Sequence, residues 1–222
     1  MNEITHTVPR KPSRASLKSQ TRSALIKASI ELFTELGYAN TTLEAVAERA
    51  NLHVQTLYRH FPSKELLAVA PERDNLEKFK SDIRLRDPEQ PFTSFWREWV
   101  ARSAEKSQTR NRELLLRRIR GYIIPTVTGQ GHEIMNEFLD LLENSLADEF
   151  HLDPRTSRYP RLFAAMLWEG NRYASRRWAS NHGKSDLVQE VTEVIDDVCR
   201  LMQLWNSANT TLAVGNKESD PR

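Results

Sequence analysis

The sequence predicts an all-α protein made of a small N-terminal helical module and a larger helical domain. Glycine is scarce, with 7 residues in a chain of 222. Few segments alternate apolar and polar residues, whereas apolar residues recur at three- and four-residue spacing along most of the length. With 39% hydrophobic residues, a chain this long can bury a real core.

Composition narrows the class of protein. The single cysteine, Cys199, excludes an intramolecular disulfide and a thiolate-built zinc site, and fits a reducing compartment. The leader MNEITHTVPRKPSR has no apolar signal core, and no apolar run approaches the roughly 20 residues of a membrane span. A cytoplasmic protein outside the membrane is expected. Net charge is +2, yet residues 1–64 hold nine Lys/Arg against five Asp/Glu and the remainder holds 23 against 25. Between Arg10 and Ile30 lie Arg10, Lys11, Arg14, Lys18, Arg22 and Lys27 without one acid. Alone, such a run is a solubilising tail; beside a DNA-binding module it becomes an arm for phosphates or the minor groove. The arm, over residues 1–16, would use Arg10, Lys11 and Arg14.

The elements follow in order. Leu25, Ala28, Leu32 and Leu36 mark one face of a first helix, which Gly37 ends because glycine takes the left-handed conformation past a helix C-terminus. Thr41 and Glu44, three apart, read as a capping box for a second helix carrying Leu43, Val46, Ala47 and Ala50. Asn51 suits a left-handed turn, and Leu52 and His53 complete the corner. A third helix, Val54 to His60, must end near Phe61 because Pro62 disfavours helical geometry before it. Ser63 caps a fourth, which Pro71 should kink or split into 63–70 and 71 to about 85. After the loop DPEQP at 87–91, helical patterns cover 92–107, 109–123, 131–150, 157–181 and 185–206, and 207–222 reads as a disordered tail. The domains expected are 17–68 and 69–206.

Two short helices on a three-residue turn, backed by a longer helix, are helix-turn-helix geometry. Leu57 and Phe61 anchor the third helix in a small core. Gln55, Thr56, Tyr58, Arg59 and His60 are then left near the surface, on a helix suited to a major groove about 12 Å wide.

The run TTLEAVAERANLHVQTLYRHFPSKELL resembles the N-terminal DNA-binding domain of TetR-type transcriptional regulators. The match covers about residues 20–68; beyond it only length and helix count agree. The resemblance implies that Thr42 touches a phosphate, that Val54, Gln55 and Thr56 face base edges, that Tyr58 and His60 hold phosphates, and that Lys64 reaches another. Hydroxyl, imidazole and ammonium donors position the backbone, while an amide such as Gln55 can pair two-pronged with adenine. It also implies a homodimeric regulator, a repressor, on a palindromic operator of double-stranded DNA, released by a small-molecule effector and needing no cofactor. Asn51 stands where the family usually has glycine, and tolerates the same geometry. His53 stands where a serine usually caps the third helix; it caps poorly, so either the helix start depends on DNA or His53 itself contacts a phosphate.

The larger domain is less explicit. Phe92, Phe95, Trp96, Trp99 and Tyr122 are either plain core or a pocket; in the pocket reading Phe95, Trp96, Trp99 and Tyr122 hold an apolar or aromatic effector. The stripes over 157–181 and 185–206, with Leu162, Trp168, Val191, Val194, Val198 and Leu201, suit a four-helix dimer interface. An architectural DNA-binding protein without effector is one rival. A cofactor-dependent enzyme is another, resting on Gly129-Gln130-Gly131 after an apolar run, but Ile134 replaces the third glycine, Pro125 interrupts the strand, and no second βαβ unit follows. His132-Glu133 lacks the second histidine of a zinc helix.

Overall fold

The computed structural model describes residues 13–121 and 129–218, and every regular element among them is an α-helix. In chain order these are α1 (Arg14–Leu36), α2 (Leu43–Arg49), α3 (Val54–His60), α4 (Lys64–Ala68), α5 (Ala70–Arg84), α6 (Phe92–Gly121), α7 (Gly129–Phe150), α8 (Tyr159–Ser180) and α9 (Leu187–Glu218). The chain divides into two compact units, Met1–Ala70 and Pro71–Arg222.

In the first unit, Ser13 caps α1 by accepting from the Ser16 amide at 3.1 Å. The helix therefore begins at Arg14, inside the stretch expected to be a disordered arm; Arg10 and Lys11 lie outside the described residues. Gly37, at φ 82°, ends α1 and returns its N–H to the Phe33 carbonyl. The cap of α2 is Thr42, whose hydroxyl accepts from the Ala45 amide at 3.1 Å. Thr41, the expected cap, is buried and donates to the Leu32 and Gly37 carbonyls instead. Asn51 takes the left-handed conformation at φ 54°, and the Leu52 amide reaches back to Ala47 at 2.9 Å. Leu25, Ala28, Leu32, Val46, Ala47, Leu57, Phe61 and Leu67 form one core. Burial of its Leu, Val and Phe side chains, worth roughly 1.5–3 kcal/mol each, stabilises helices too short to persist alone.

At the end of the first unit α4 and α5 are separate helices broken at Val69, and the second unit opens with Pro71 in the first turn of α5, where its missing N–H costs nothing. The patterns at 92–107 and 109–123 merge into the single helix α6, because Ser107-Gln108-Thr109 contains no breaker. α8 packs on α7 and α9, and α9 packs on α6. Trp178 is buried and donates its indole N–H to the Ser185 carbonyl at 2.9 Å. Gly183, at φ 67°, passes so close that a Cβ there would lie 2.9 Å from the Trp178 ring, so both backbone conformation and space demand glycine. α9 runs on to Glu218, through most of the stretch expected to be a tail. Among the described residues no helix is long and apolar enough to cross a membrane.

Candidate nucleic-acid interface

α3 holds one buried residue, Leu57, and Phe61 is buried just past its end. These two anchors turn Gln55, Tyr58 and Arg59 outward as exposed side chains, with Val54, Thr56 and His60 half-buried beside them. His53 is the N-cap residue and makes no side-chain cap, leaving its imidazole exposed. Thr42 is exposed at the start of α2. Of the residues expected to contact DNA, those of the helix-turn-helix other than Lys64 thus lie on α3 or at the exposed starts of α2 and α3, whereas Arg14 of the expected arm begins α1.

Their hydrogen bonds show how the face is held. The Tyr58 hydroxyl donates to Glu44 Oε1 at 3.2 Å, and this bond, ahead of the carboxylate's charge, holds the phenol above its ordinary pKa. The Arg59 guanidinium donates to the Thr56 hydroxyl at 3.1 Å. Arg49 pairs with Glu35 at 2.9 Å and with Glu31 at 3.5 Å, tying α2 to α1.

Lys64 does something different from what was expected. Its ammonium donates to the carbonyl oxygens of Tyr38, Ala39 and Thr41 at 2.8, 3.3 and 3.0 Å, and sits 4.4 Å from the centre of the Tyr38 ring. An ammonium has three N–H donors, and all three are spent on the loop between α1 and α2. Lys64 is a clasp within the domain.

Sequence reasoning left Lys18 and Arg22 within a diffuse basic run and gave Arg59 no role. The structure brings all three around His60. Burial lowers the His60 pKa first, followed by the positive charges of Lys18, Arg22 and Arg59. The Arg22 guanidinium lies 5.2 Å from the centre of the Phe61 ring. The signal in the sequence was the spacing of Arg14, Lys18 and Arg22 at four-residue intervals.

The residues expected to line an effector pocket separate. Phe79 meets Phe95, Trp96 and Trp99 at 6.2, 5.5 and 4.9 Å, and Trp96 stacks on Trp99 at 5.6 Å. Trp96 is fully buried core. Phe95 borders an open cleft of about 340 Å³ between α5 and α6, whereas Trp99 borders another, of about 130 Å³, with Asn75, Ser103, Leu115, Asn171 and Val191. Tyr122 lies outside the described residues. The expected dimer residues also divide. Leu162 and Leu201 are exposed, Trp168 and Val194 half-buried. Val191 and Val198 are only 1% and 9% exposed, because α9 turns Leu187, Val191, Ile195, Val198 and Met202 inward. Tyr173 and Leu204, which were not expected, are exposed apolar surface on α8 and α9.

Gly129-Gln130-Gly131 forms the first turn of α7 and follows no described strand. No group of three His, Cys, Asp or Glu that could hold a metal occurs among the described residues.

Residues 25–70 match the family of bacterial regulatory proteins, tetR family. The transcriptional regulator TcmR of Streptomyces glaucescens is 37% identical over 83 residues, 37% of each chain. The transcriptional repressor KstR of Rhodococcus jostii is 36% identical over 67 residues, 30% of this chain and 32% of that one. These matches thus span about a third of the curated relatives. Among solved structures, the fatty acid degradation regulator FadR of Bacillus halodurans aligns over 79% of this chain and 96% of its own, with TM-score 0.65 and 17% identity. FadR of Bacillus subtilis in complex with stearoyl-CoA aligns over the same shares, with TM-score 0.62 and 17% identity. These two likenesses are likenesses of fold.

Proposed function

We infer that this chain, a member of the TetR family through its residues 25–70, is a DNA-binding transcriptional regulator that acts as a homodimeric repressor and releases its operator when a small molecule binds the second unit. The observation that carries the DNA reading is the exposed polar face of α3, held outward by buried Leu57 and Phe61. In this reading Gln55, with Val54 and Thr56, reads base edges in the major groove, and Thr42, His53, Tyr58 and His60 hold phosphates on either side.

Dimerisation supports a palindromic operator, since half-sites about 34–36 Å apart mirror a two-fold axis. The exposed apolar residues Leu162, Tyr173, Leu201 and Leu204 on α8 and α9 are surface that a second copy would cover.

The effector reading rests on the cleft beside Trp99. FadR of Bacillus subtilis was solved with stearoyl-CoA, a ligand with several phosphate charges. In this chain no described residue lining the cleft of about 130 Å³ is charged, and Asn75, Ser103 and Asn171 supply neutral donors and acceptors. An engineered cavity of about 150 Å³ holds a benzene ring. The effector proposed here is therefore an uncharged molecule with an apolar or aromatic body and a hydrogen-bonding group.

The deciding experiment is a gel shift on the DNA flanking the protein's own gene, against a random duplex, at several salt concentrations. Sequence preference with a steep salt slope is expected. Equal affinity for both duplexes favours an architectural DNA-binding protein, and no binding to either overturns the reading.

A further inference from the structure

The face of α1 changes character along its length. From Leu25 onward, Leu25, Ala28, Ser29 and Leu32 are buried. Continued toward the N-terminus at the same spacing, that face carries Arg22, Lys18 and Arg14. The helix thus begins with a cationic strip where its later turns carry core.

Such a strip costs stability in the free protein. Like charges four residues apart destabilise a helix. Cations at a helix N-terminus also oppose its macrodipole, and α1 has no acid in its first turn. The sequence holds no acid between Arg14 and Ile30. Arg14 and Lys18 are exposed. At the far end, the Arg22 guanidinium rests on the Phe61 ring at 5.2 Å, and Phe61 directly follows the last residue of α3. The strip therefore runs up to the side of the module that presents His60.

We propose that Arg14, Lys18 and Arg22 form a rigid cationic rail that binds consecutive phosphates of the DNA strand flanking the groove entered by α3. The inference rests on the DNA-binding reading above and adds to it a backbone contact made by folded helix. Its length suits the partner: eight residues at 1.5 Å rise span about 12 Å, and each strand of duplex DNA carries a phosphate for about every 3.4 Å of axis. A polyanion supplies negative charge beside the first turns of α1, where the sequence of the helix holds none. Because the rail touches phosphates alone, it strengthens binding to all sequences alike.

The test uses full-length Arg14→Gln/Lys18→Gln, with Arg10→Gln/Lys11→Gln as comparison, on the gene-flanking and random duplexes. The rail predicts a log-log salt slope shallower by about 0.9 for each phosphate that is no longer neutralised, hence about 1.8 for the Arg14/Lys18 variant, on both duplexes. It also predicts a melting temperature equal to or above wild type, where a structural role would lower it. An unchanged slope, a lower melting temperature, or a weakening confined to the gene-flanking duplex overturns the rail. So does a slope that falls for Arg10→Gln/Lys11→Gln but not for Arg14→Gln/Lys18→Gln, which would place the phosphate binding in the preceding segment. If wild type binds neither duplex, it is the DNA-binding reading that fails.

Discussion

The Lys64 ammonium lies 2.8 Å from the Tyr38 carbonyl oxygen and 4.4 Å from the centre of the same residue's ring, so one side chain at the start of α4 fastens the loop that joins α1 to α2. Two further carbonyls complete the clasp. Lys64→Met keeps the aliphatic stem and removes every donor. It should cost about 1.5–3 kcal/mol in urea unfolding, the range for hydrogen bonds from a charged group, while leaving the salt slope of DNA binding unchanged. A shallower slope with intact stability would return Lys64 to the phosphates.

Gln55 and Tyr58 lie on the same short helix but should fail differently. Gln55→Ala should relax preference at a single base pair, by about 1–3 kcal/mol. Tyr58→Phe removes the hydroxyl bonded to Glu44 and should weaken binding to every duplex alike. Competition against a set of single-base variants separates the two. Unchanged preference in Gln55→Ala would exclude it from base reading.

His60 should make DNA binding pH-dependent. Burial, then Lys18 and Arg22 from α1 and Arg59 from α3, hold its pKa below the ordinary value, so the free fold favours the neutral ring. Its contribution to stability is therefore complete above the ordinary histidine pKa near 6.5 and is lost as pH falls through the lower folded value. A bound phosphate offsets the surrounding positive charge and favours the imidazolium. Affinity for DNA should rise from about pH 7.5 to about pH 6.0, a window bracketing that ordinary value, with proton uptake on binding, and His60→Gln should flatten the profile. A flat wild-type profile would exclude His60 from phosphate binding.

The two faces of α9 should answer differently to charge. Leu204 is 68% exposed and Leu201 55%, so Leu201→Glu/Leu204→Glu should leave helicity and melting intact while converting a dimer to monomer in sedimentation. Val198, turned inward, should not tolerate the same change: a buried, unpaired carboxylate costs several kcal/mol. A doubly substituted chain that still sediments as a dimer would place the interface elsewhere.

The sequence by itself determined what depends on near neighbours. All-α architecture, the left-handed Asn51, the glycine that ends α1, and the outward polar face of α3 between Leu57 and Phe61 were each legible. Each is set by spacing within one or two helical turns or by the conformational range of one residue. Long-range packing decided the rest. Thr41 and Thr42 are equivalent as local caps, and only the burial of Thr41 against the Leu32 carbonyl leaves the cap to Thr42. Lys64 found its partners up to 26 positions away, a pairing no local pattern encodes. The aromatic residues of α6 show the same limit, since a pocket wall and a core wall have the same periodicity until Phe79 fills the space between them. Which stripe of α9 faces inward, and that Lys18 and Arg22 converge on His60, likewise emerge only when helices distant in sequence pack together, because burial and electrostatic potential are properties of the whole assembled surface.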